Sequence, residues 1–181
     1  MKIVGLGDSN TWGYPFGPHY SWLHHVGNEL SCQVINRGVN GECFPDMRWR
    51  LQEVINDQPD IVIVMGGVND VFDWPTVQQV GEELTVIVDE LQQKTSAQII
   101  IGLPIPLGYP AEEMLLQECR EWMRNFAKTR NLEVIDFYSA LVDPKTGGIL
   151  PDYNADEVHP NREGFMKMGE LAVSRLKMII R

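Results

Sequence analysis

The sequence predicts one doubly wound α/β domain built on a parallel sheet, and three observations lead to this fold class. Short apolar runs rich in Ile and Val alternate with longer amphipathic segments along the 181 residues. The runs at 61–65 and 99–101 are continuously apolar, as in parallel strands that are covered on both faces. The strands and helices alternate along the whole chain, which favours right-handed crossovers between parallel strands.

Five segments have the length, composition and boundaries of strands. They are brief, rich in β-branched residues and bounded by Gly, Pro or Asn, and they comprise residues 2–6, 33–36, 60–65, 97–103 and 132–137. Between them, apolar residues recur at spacings of three and four, which indicates helices with one buried face. These helical patterns cover 77–91, 115–126 and 165–176. Pro75 and Pro160 lie at or near the first positions of two of the helices.

Length and charge limit the class of protein. A chain of this size with 44% hydrophobic and 22% charged residues is typical of a globular protein, and we expect residues 1–181 to form a single domain. Its 15 Lys and Arg residues stand against 25 Asp and Glu residues, which gives a net charge of −10. Because so few cations are available to neutralise phosphates, this balance argues against nucleic acid and anionic lipid as partners.

Cysteine usage and the N-terminus bear on localisation. The three cysteines, Cys32, Cys43 and Cys119, form no C-x-x-C motif, so we expect reduced thiols, although a Cys32–Cys43 bridge stays open. No apolar stretch approaches the ~20 residues of a membrane span, and residues 1–7 are too short for a signal-peptide core. We therefore expect a cytoplasmic protein without membrane insertion.

Polar residues follow the predicted strands at the edge where ligands of open parallel sheets bind. Ser9 follows the first strand, Gly41 the second and Asn69 the third. Asp156 and His159 precede the last helix, at a spacing that lets the carboxylate orient the imidazole. Each of these residues taken alone also fits a helix cap, a turn or a structural histidine.

Taken together, the same residues form a consistent catalytic set. His159 is placed to take a proton from Ser9 while Asp156 holds the imidazole. The N–H groups of Ser9 and Gly41 and the side-chain amide of Asn69 are candidate donors to an oxyanion. The sequence has no G-x-S-x-G elbow, no H-E-x-x-H motif, no P-loop and no complete dinucleotide-binding glycine motif. We therefore expect neither a metal nor a cofactor.

The four segments resemble the sequence blocks of the SGNH, or GDSL-type, hydrolase family in order and spacing. The matching strings are Gly7-Asp8-Ser9, Gly41, Gly67-Val68-Asn69-Asp70 and Asp156-Glu157-Val158-His159. Two positions depart from the family pattern: Asn10 replaces an aliphatic residue, and Glu157 stands where glycine is common. The resemblance extends from residue 2 to the final helix.

The resemblance implies a flavodoxin-like three-layer α/β/α sandwich with five parallel strands, formed as a single SGNH hydrolase domain. It also implies Ser9 as nucleophile, His159 as base and Asp156 as the residue that orients it. Ser9, Gly41 and Asn69 would be the oxyanion donors.

The leading functional hypothesis is a serine esterase that hydrolyses short-chain carboxylic esters of small molecules through an acyl-enzyme. Carbohydrate O-deacetylase, thioesterase, lysophospholipase and acyltransferase activities would use the same residues, and a non-catalytic binding module is a further alternative. The acyl pocket and the leaving-group cleft would separate these activities. Aromatic residues of the predicted active-face loops are candidates for lining that cleft, namely Trp12, Tyr14, Phe16 and Trp74.

Overall fold

The computed structural model describes residues 1–73 and 76–180, and within them five strands form a parallel sheet. The strands are β1 (Lys2–Gly7), β2 (Gln33–Gly38), β3 (Ile61–Met65), β4 (Gln98–Leu103) and β5 (Glu133–Asp136). Their order across the sheet is β2-β1-β3-β4-β5, and all neighbouring pairs are parallel. The predicted doubly wound sheet is confirmed, and the predicted strand bounds differ from the observed ones by at most two residues.

Helices cover both faces of this sheet. In chain order they are α1 (Ser9–Trp12), α2 (Trp22–Leu30), α3 (Phe44–Trp49), α4 (Leu51–Asn56), α5 (Asp70–Asp73), α6 (Val77–Lys94), α7 (Pro110–Arg130), α8 (Phe137–Leu141) and α9 (Arg162–Ile179). Apolar side chains of α3, α4, α6 and α7 contribute to the core on one face. Those of α2, α8 and α9 contribute to the core on the other face. The result is the three-layer α/β/α sandwich.

The position of strand β3 between two hydrophobic cores explains why its sequence is continuously apolar. Val62 and Val64 belong to the core on one face, whereas Ile61, Ile63 and Met65 belong to the core on the opposite face. All five side chains are buried because helices pack on both sides.

The strand order creates the crevice in which polar residues meet. The chain passes from β1 to β2 on one side and then crosses to β3 on the other side of β1. A crevice therefore opens between the carboxyl ends of β1 and β3, which is the switch point of a doubly wound sheet. Ser9 directly follows β1, and residues 66–70 directly follow β3.

Helix α9 begins slightly later than the proline signal indicates. The Asn161 side chain accepts a hydrogen bond from Gly164 N at 2.9 Å and caps a helix that starts at Arg162. Pro160 therefore precedes the cap, because Asn161 satisfies a free N–H group of the first turn. Pro75, the other proposed start, lies outside the described residues.

Two further expectations concern a disulfide bridge and a membrane-spanning helix. Cys32, Cys43 and Cys119 are all free thiols, so the bridge that the sequence left open between Cys32 and Cys43 is absent. Within residues 1–73 and 76–180, no helix has both the length and the apolar character needed to cross a membrane.

Candidate active site

Ser9 is the first residue of α1 and lies directly beyond the carboxyl end of β1. Asp8 precedes it in an extended conformation, and the Oδ1 atom of Asp8 accepts a hydrogen bond from Asn10 N at 2.8 Å. This cap starts the helix, and Gly13, with a φ of 101°, ends it after one turn. The Ser9 side chain is thereby held at the crevice between β1 and β3.

His159 reaches Ser9 from the loop that precedes α9. The Oγ atom of Ser9 lies 2.9 Å from Nε2 of His159. On the other side of the ring, Nδ1 lies 2.9 Å from each carboxylate oxygen of Asp156. The backbone N–H of His159 also donates to Oδ1 of Asp156 at 2.8 Å. Asp156 thus closes the turn that presents the histidine, and the three side chains form a continuous series of hydrogen bonds.

The charge of Asp156 is set by two opposing effects. Partial burial raises the pKa of this carboxyl group, but the hydrogen bonds and charge of His159 outweigh burial and hold the pKa below its ordinary value of 3.8. Asp156 is therefore ionised at neutral pH and can accept a hydrogen bond from Nδ1 of His159.

Gly41 and Asn69 border the same cavity as Ser9. The Nδ2 atom of Asn69 donates to the carbonyl of Glu42 at 2.9 Å, which fixes the amide and leaves its second N–H available. Gly41 has a φ of 82°, and a Cβ atom added there would meet no atom within 4 Å. Glycine is thus favoured at this position by its backbone conformation rather than by crowding.

Arg50 fixes the segment that contains Gly41, a role for which the sequence carries no signal. Its guanidinium lies 2.6 Å from the carboxylate of Glu42 and donates to the carbonyl of Gly7 at 3.1 Å. Gly7 ends β1 two residues before Ser9. One largely buried side chain therefore ties the segments after β1 and β2 together.

A cavity of about 250 Å³ opens where these segments meet, and it is lined by Ser9, Tyr14, Asn40, Gly41, Asn69, Asp156, Val158 and His159. The ring centroids of Tyr14 and His159 are 4.6 Å apart. Two other aromatic residues expected in the cleft, Trp12 and Phe16, are not among the lining residues, and Phe16 packs instead against the core that contains α9. The fourth, Trp74, lies outside the described residues.

Two buried carboxyl groups lie next to the site in sequence, and sequence reasoning gave them no role beyond helix capping. Asp8 precedes Ser9, and Asp70 follows Asn69; both are at most 1% exposed. Oδ1 of Asp70 accepts a hydrogen bond from Phe44 N at 3.0 Å, which connects α5 to the start of α3. Burial is the main cause that raises the pKa of Asp8 to about 7 and that of Asp70 to about 6.

An exposed aromatic pair, Phe72 and Tyr109, lies at the same edge of the sheet. Phe72 follows Asn69 by three residues, and its ring centroid is 5.7 Å from that of Tyr109 in an edge-to-face arrangement. The two residues are 47% and 45% exposed. Next to Tyr109, the N–H of Gly108 donates to the carbonyl of Glu157 at 2.8 Å, in the loop that carries the histidine. The pair therefore brings the helix that follows Asn69 into contact with the start of α7.

A serine hydroxyl bonded to an imidazole that is oriented by a carboxylate is an arrangement suited to nucleophilic attack on acyl groups. Together with the parallel α/β/α sandwich, it defines the SGNH hydrolase class of fold. The chain belongs to the GDSL-like Lipase/Acylhydrolase family, whose model matches residues 6–166.

Individual relatives agree with this family. An acetylxylan esterase from Xylanibacter ruminicola is 22% identical over 98% of this chain and 43% of the relative. An acetylxylan esterase from Geobacillus stearothermophilus is 32% identical over 48% of this chain and 39% of the relative. The chain thus spans less than half the length of these curated relatives.

Solved structures show the same fold. The lipase/acylhydrolase from Enterococcus faecalis superposes with a TM-score of 0.82 at 28% identity, covering 98% of this chain and 96% of that one. A member of the lipolytic protein G-D-S-L family from Veillonella parvula superposes with a TM-score of 0.87 at 24% identity, covering 98% of both chains.

Proposed function

We propose that residues 1–181 form a single SGNH hydrolase domain with serine esterase activity towards short-chain carboxylic esters of small molecules. The observation that carries the proposal is the hydrogen-bonded series from Ser9 through His159 to Asp156, with separations of 2.9 Å at each step. Nε2 of His159 accepts the Ser9 proton as Oγ attacks the ester carbonyl, and Asp156 stabilises the resulting imidazolium. His159 then protonates the departing alcohol, which leaves an acyl-enzyme that water hydrolyses.

The developing oxyanion is held by three donors. The N–H groups of Ser9 and Gly41 and the Asn69 amide come from the segments after β1, β2 and β3, so strands of one rigid sheet support all three. The bond from Asn69 to Glu42 supports this role, because a fixed amide needs no reorganisation during the reaction.

The size of the cavity favours short acyl groups. Its volume of about 250 Å³ lies below the range of roughly 300–1,000 Å³ that is usual for pockets enclosing drug-sized ligands. Val158 and Tyr14 supply its apolar walls, whereas the remaining lining residues are polar or glycine. An acetyl group fits such a site better than the long acyl chain of a lysophospholipid.

A carbohydrate O-deacetylase is the second candidate function. Both curated relatives carry the name acetylxylan esterase, and a small acetyl pocket at an open edge of the sheet suits an ester on a large sugar polymer. This candidate uses the same residues and differs only in the leaving group.

The decisive test compares the wild type with Ser9→Ala on p-nitrophenyl esters from acetate to palmitate. We expect a maximum at acetate or butyrate and a loss of about 10⁴-fold or more in kcat for Ser9→Ala, since the nucleophile is removed. Ser96→Ala, an exposed residue just before β4 at the opposite edge, is the matched control and should behave as the wild type. Equal activity in the wild type and Ser9→Ala, or no activity in either, would contradict the proposal.

Two extensions of the same assay separate the alternatives. Acetate release from acetylated xylan measures deacetylation directly, and activity that rises with chain length would favour a lysophospholipase. Product analysis with an added acceptor alcohol distinguishes acyl transfer from hydrolysis. A non-catalytic binding module would show no turnover in any of these assays.

A further inference from the structure

Trp49, the last residue of α3, is 89% exposed and is the most exposed large hydrophobic side chain of residues 1–73 and 76–180. It borders a groove of about 410 Å³ lined by Pro45, Arg48, Trp49, Glu83 and Glu90. Arg48 and Glu83 form an ion pair of 3.3 Å across this groove, from α3 to α6. We call these five residues the Trp49 platform.

We infer that the Trp49 platform binds a neutral polysaccharide chain, with a sugar ring stacked on the indole. This inference rests on the second candidate of the proposed function, the carbohydrate O-deacetylase, because it assigns to the esterase a polymeric sugar ester as its substrate class. An exposed indole presents a flat apolar face next to a polar N–H donor, and the ion pair beside it offers hydrogen-bonding groups of both kinds. A sugar ring has the matching surfaces, since its C–H faces are apolar and its hydroxyl edges are polar.

The charge around the platform selects a neutral occupant. Arg48 is already paired with Glu83 at 3.3 Å, Glu90 is paired with Lys94 at 2.6 Å, and the whole chain carries a net charge of −10. Nucleic acids and strongly acidic polymers would be repelled at this surface, because their binding depends on Lys and Arg. A neutral sugar chain encounters no such penalty.

The area of the platform argues against a protein partner or a second copy of this chain. A tryptophan side chain buries about 150–250 Å² at most, whereas a stable interface needs about 800 Å² per partner around an apolar centre. The other large apolar side chains that are exposed in the described part of the chain do not belong to α3, α4 or α6. One isolated aromatic ring matches the size of a single sugar unit.

The platform is connected to the catalytic edge through the residue that follows Trp49. Arg50 donates to the carbonyl of Gly7 at 3.1 Å, two residues before Ser9, and pairs with Glu42, next to Gly41. The residue next to Trp49 in the chain therefore contacts the end of β1. A polymer chain that extends from the platform past Arg50 would bring its ester groups towards the nucleophile.

Binding and catalysis are measured separately on four variants. Binding is followed by depletion of protein onto insoluble xylan, acetylated xylan and cellulose, and by calorimetry with xylo-oligosaccharides. Wild type and Ser9→Ala should bind at least one of these polymers equally, whereas Trp49→Ala should bind about tenfold more weakly, as loss of an aromatic stacking contact usually does. Trp49→Tyr should recover part of the affinity. Met178→Ala, which removes another exposed large apolar side chain, on α9, should bind as the wild type.

Measurements of catalysis distinguish failure of the polysaccharide-binding inference from failure of the esterase proposal. Trp49→Ala should retain the wild-type kcat/KM on p-nitrophenyl acetate and lose activity only on acetylated polymer. Equal binding by Trp49→Ala and wild type, or no wild-type binding to any of the three polymers, overturns the inference while leaving the esterase proposal intact. Polymer binding without any ester hydrolysis overturns the esterase proposal instead. Self-association of the wild type that Trp49→Ala abolishes, measured by analytical ultracentrifugation, would identify a second copy as the occupant and also overturn the inference.

Discussion

Replacing Asp8 by asparagine should stabilise the protein, and by more at alkaline than at acidic pH. The Asp8 carboxyl group is 1% exposed, and burial together with the nearby charge of Asp70 raises its pKa from 3.8 to about 7. The folded state therefore holds this proton more tightly than the unfolded state does. Stability that depends on the protonated group is present below pH 3.8 and is lost as the pH rises towards 7. The amide side chain of the Asp8→Asn variant carries no charge at any of these pH values and would avoid that loss.

The magnitude follows from the two pKa values. A tenfold change in an equilibrium constant corresponds to about 1.4 kcal/mol, so ionising a buried group with a pKa of about 7 rather than 3.8 costs about 4 kcal/mol at pH 8. At pH 5.5 the raised pKa of Asp8 lowers the free energy of unfolding by about 2 kcal/mol. The stability gained in Asp8→Asn should therefore grow by about 2 kcal/mol between these pH values. Asparagine retains a carbonyl oxygen that can accept the bond from Asn10 N, so the cap is preserved.

The assay is urea denaturation of wild type and variant at both pH values, and the free energies of unfolding are compared. Asp143→Asn is the matched control, because Oδ1 of Asp143 accepts a bond from Lys145 N at 2.9 Å in the same local geometry without comparable burial. The difference between the effects of the two substitutions isolates the contribution of burial at Asp8. An Asp8→Asn effect that is equal at pH 5.5 and 8, or that destabilises the protein at pH 8, would refute this account of the buried carboxyl group.

Three further predictions concern the candidate site. Asn69→Ala should lower kcat on p-nitrophenyl acetate by about 10²–10³-fold with little change in KM, because it removes one oxyanion donor; an unchanged kcat would contradict that role. Phe72→Ala should lower kcat/KM more for p-nitrophenyl butyrate than for the acetate, since Phe72 lies three residues after Asn69 and offers an exposed apolar surface to a larger acyl group; equal losses on both esters would count against this role. Gly108→Ala should lower kcat, because its Cβ would lie 2.6 Å from the Cβ of Glu157 in the loop that carries the histidine. Adding Glu157→Gly should restore kcat, since it removes the contacted side chain and relieves a φ of 70° in a non-glycine residue; the absence of rescue would exclude this clash as the cause.

The fold could be predicted from the sequence because the hydrophobic pattern of each segment matches its place in the sheet or on the faces of the sheet. The continuous apolar run of β3 requires burial on both faces, and the helical periods of α6, α7 and α9 supply the covering surfaces. The candidate residues Ser9, Gly41 and Asn69 could be grouped because each follows a strand, and parallel strands end at one edge. The structure places them around one cavity with Asp156 and His159, and their catalytic roles remain predictions.

What the sequence did not reveal depends on exposure and on contacts between distant segments. Trp22 and Trp49 both lie on short helices, yet Trp22 is fully buried and Trp49 is 89% exposed. Similarly, Phe16 and Phe72 both belong to loops or short helices near the site, but Phe16 packs against the core whereas Phe72 is 47% exposed. The type of a residue and its place in the sequence do not specify whether its side chain on a short helix faces the core or the solvent.

The buried carboxyl groups Asp8 and Asp70 show why the local rules fail beside the nucleophile. An acidic residue at the start of a helix is usually solvated, whereas here burial encloses both groups and raises their pKa values. Each nevertheless fixes a segment of the candidate site: Asp8 starts the helix of Ser9, and Asp70 bonds Phe44 N beside the segment of Gly41. The two carboxyl groups therefore position the segments of the candidate site but lower the stability of the fold. Functional sites commonly show such a loss of stability. Asp8→Asn separates the two effects, because a variant that gains stability at pH 8 while losing activity would demonstrate such a loss in this protein.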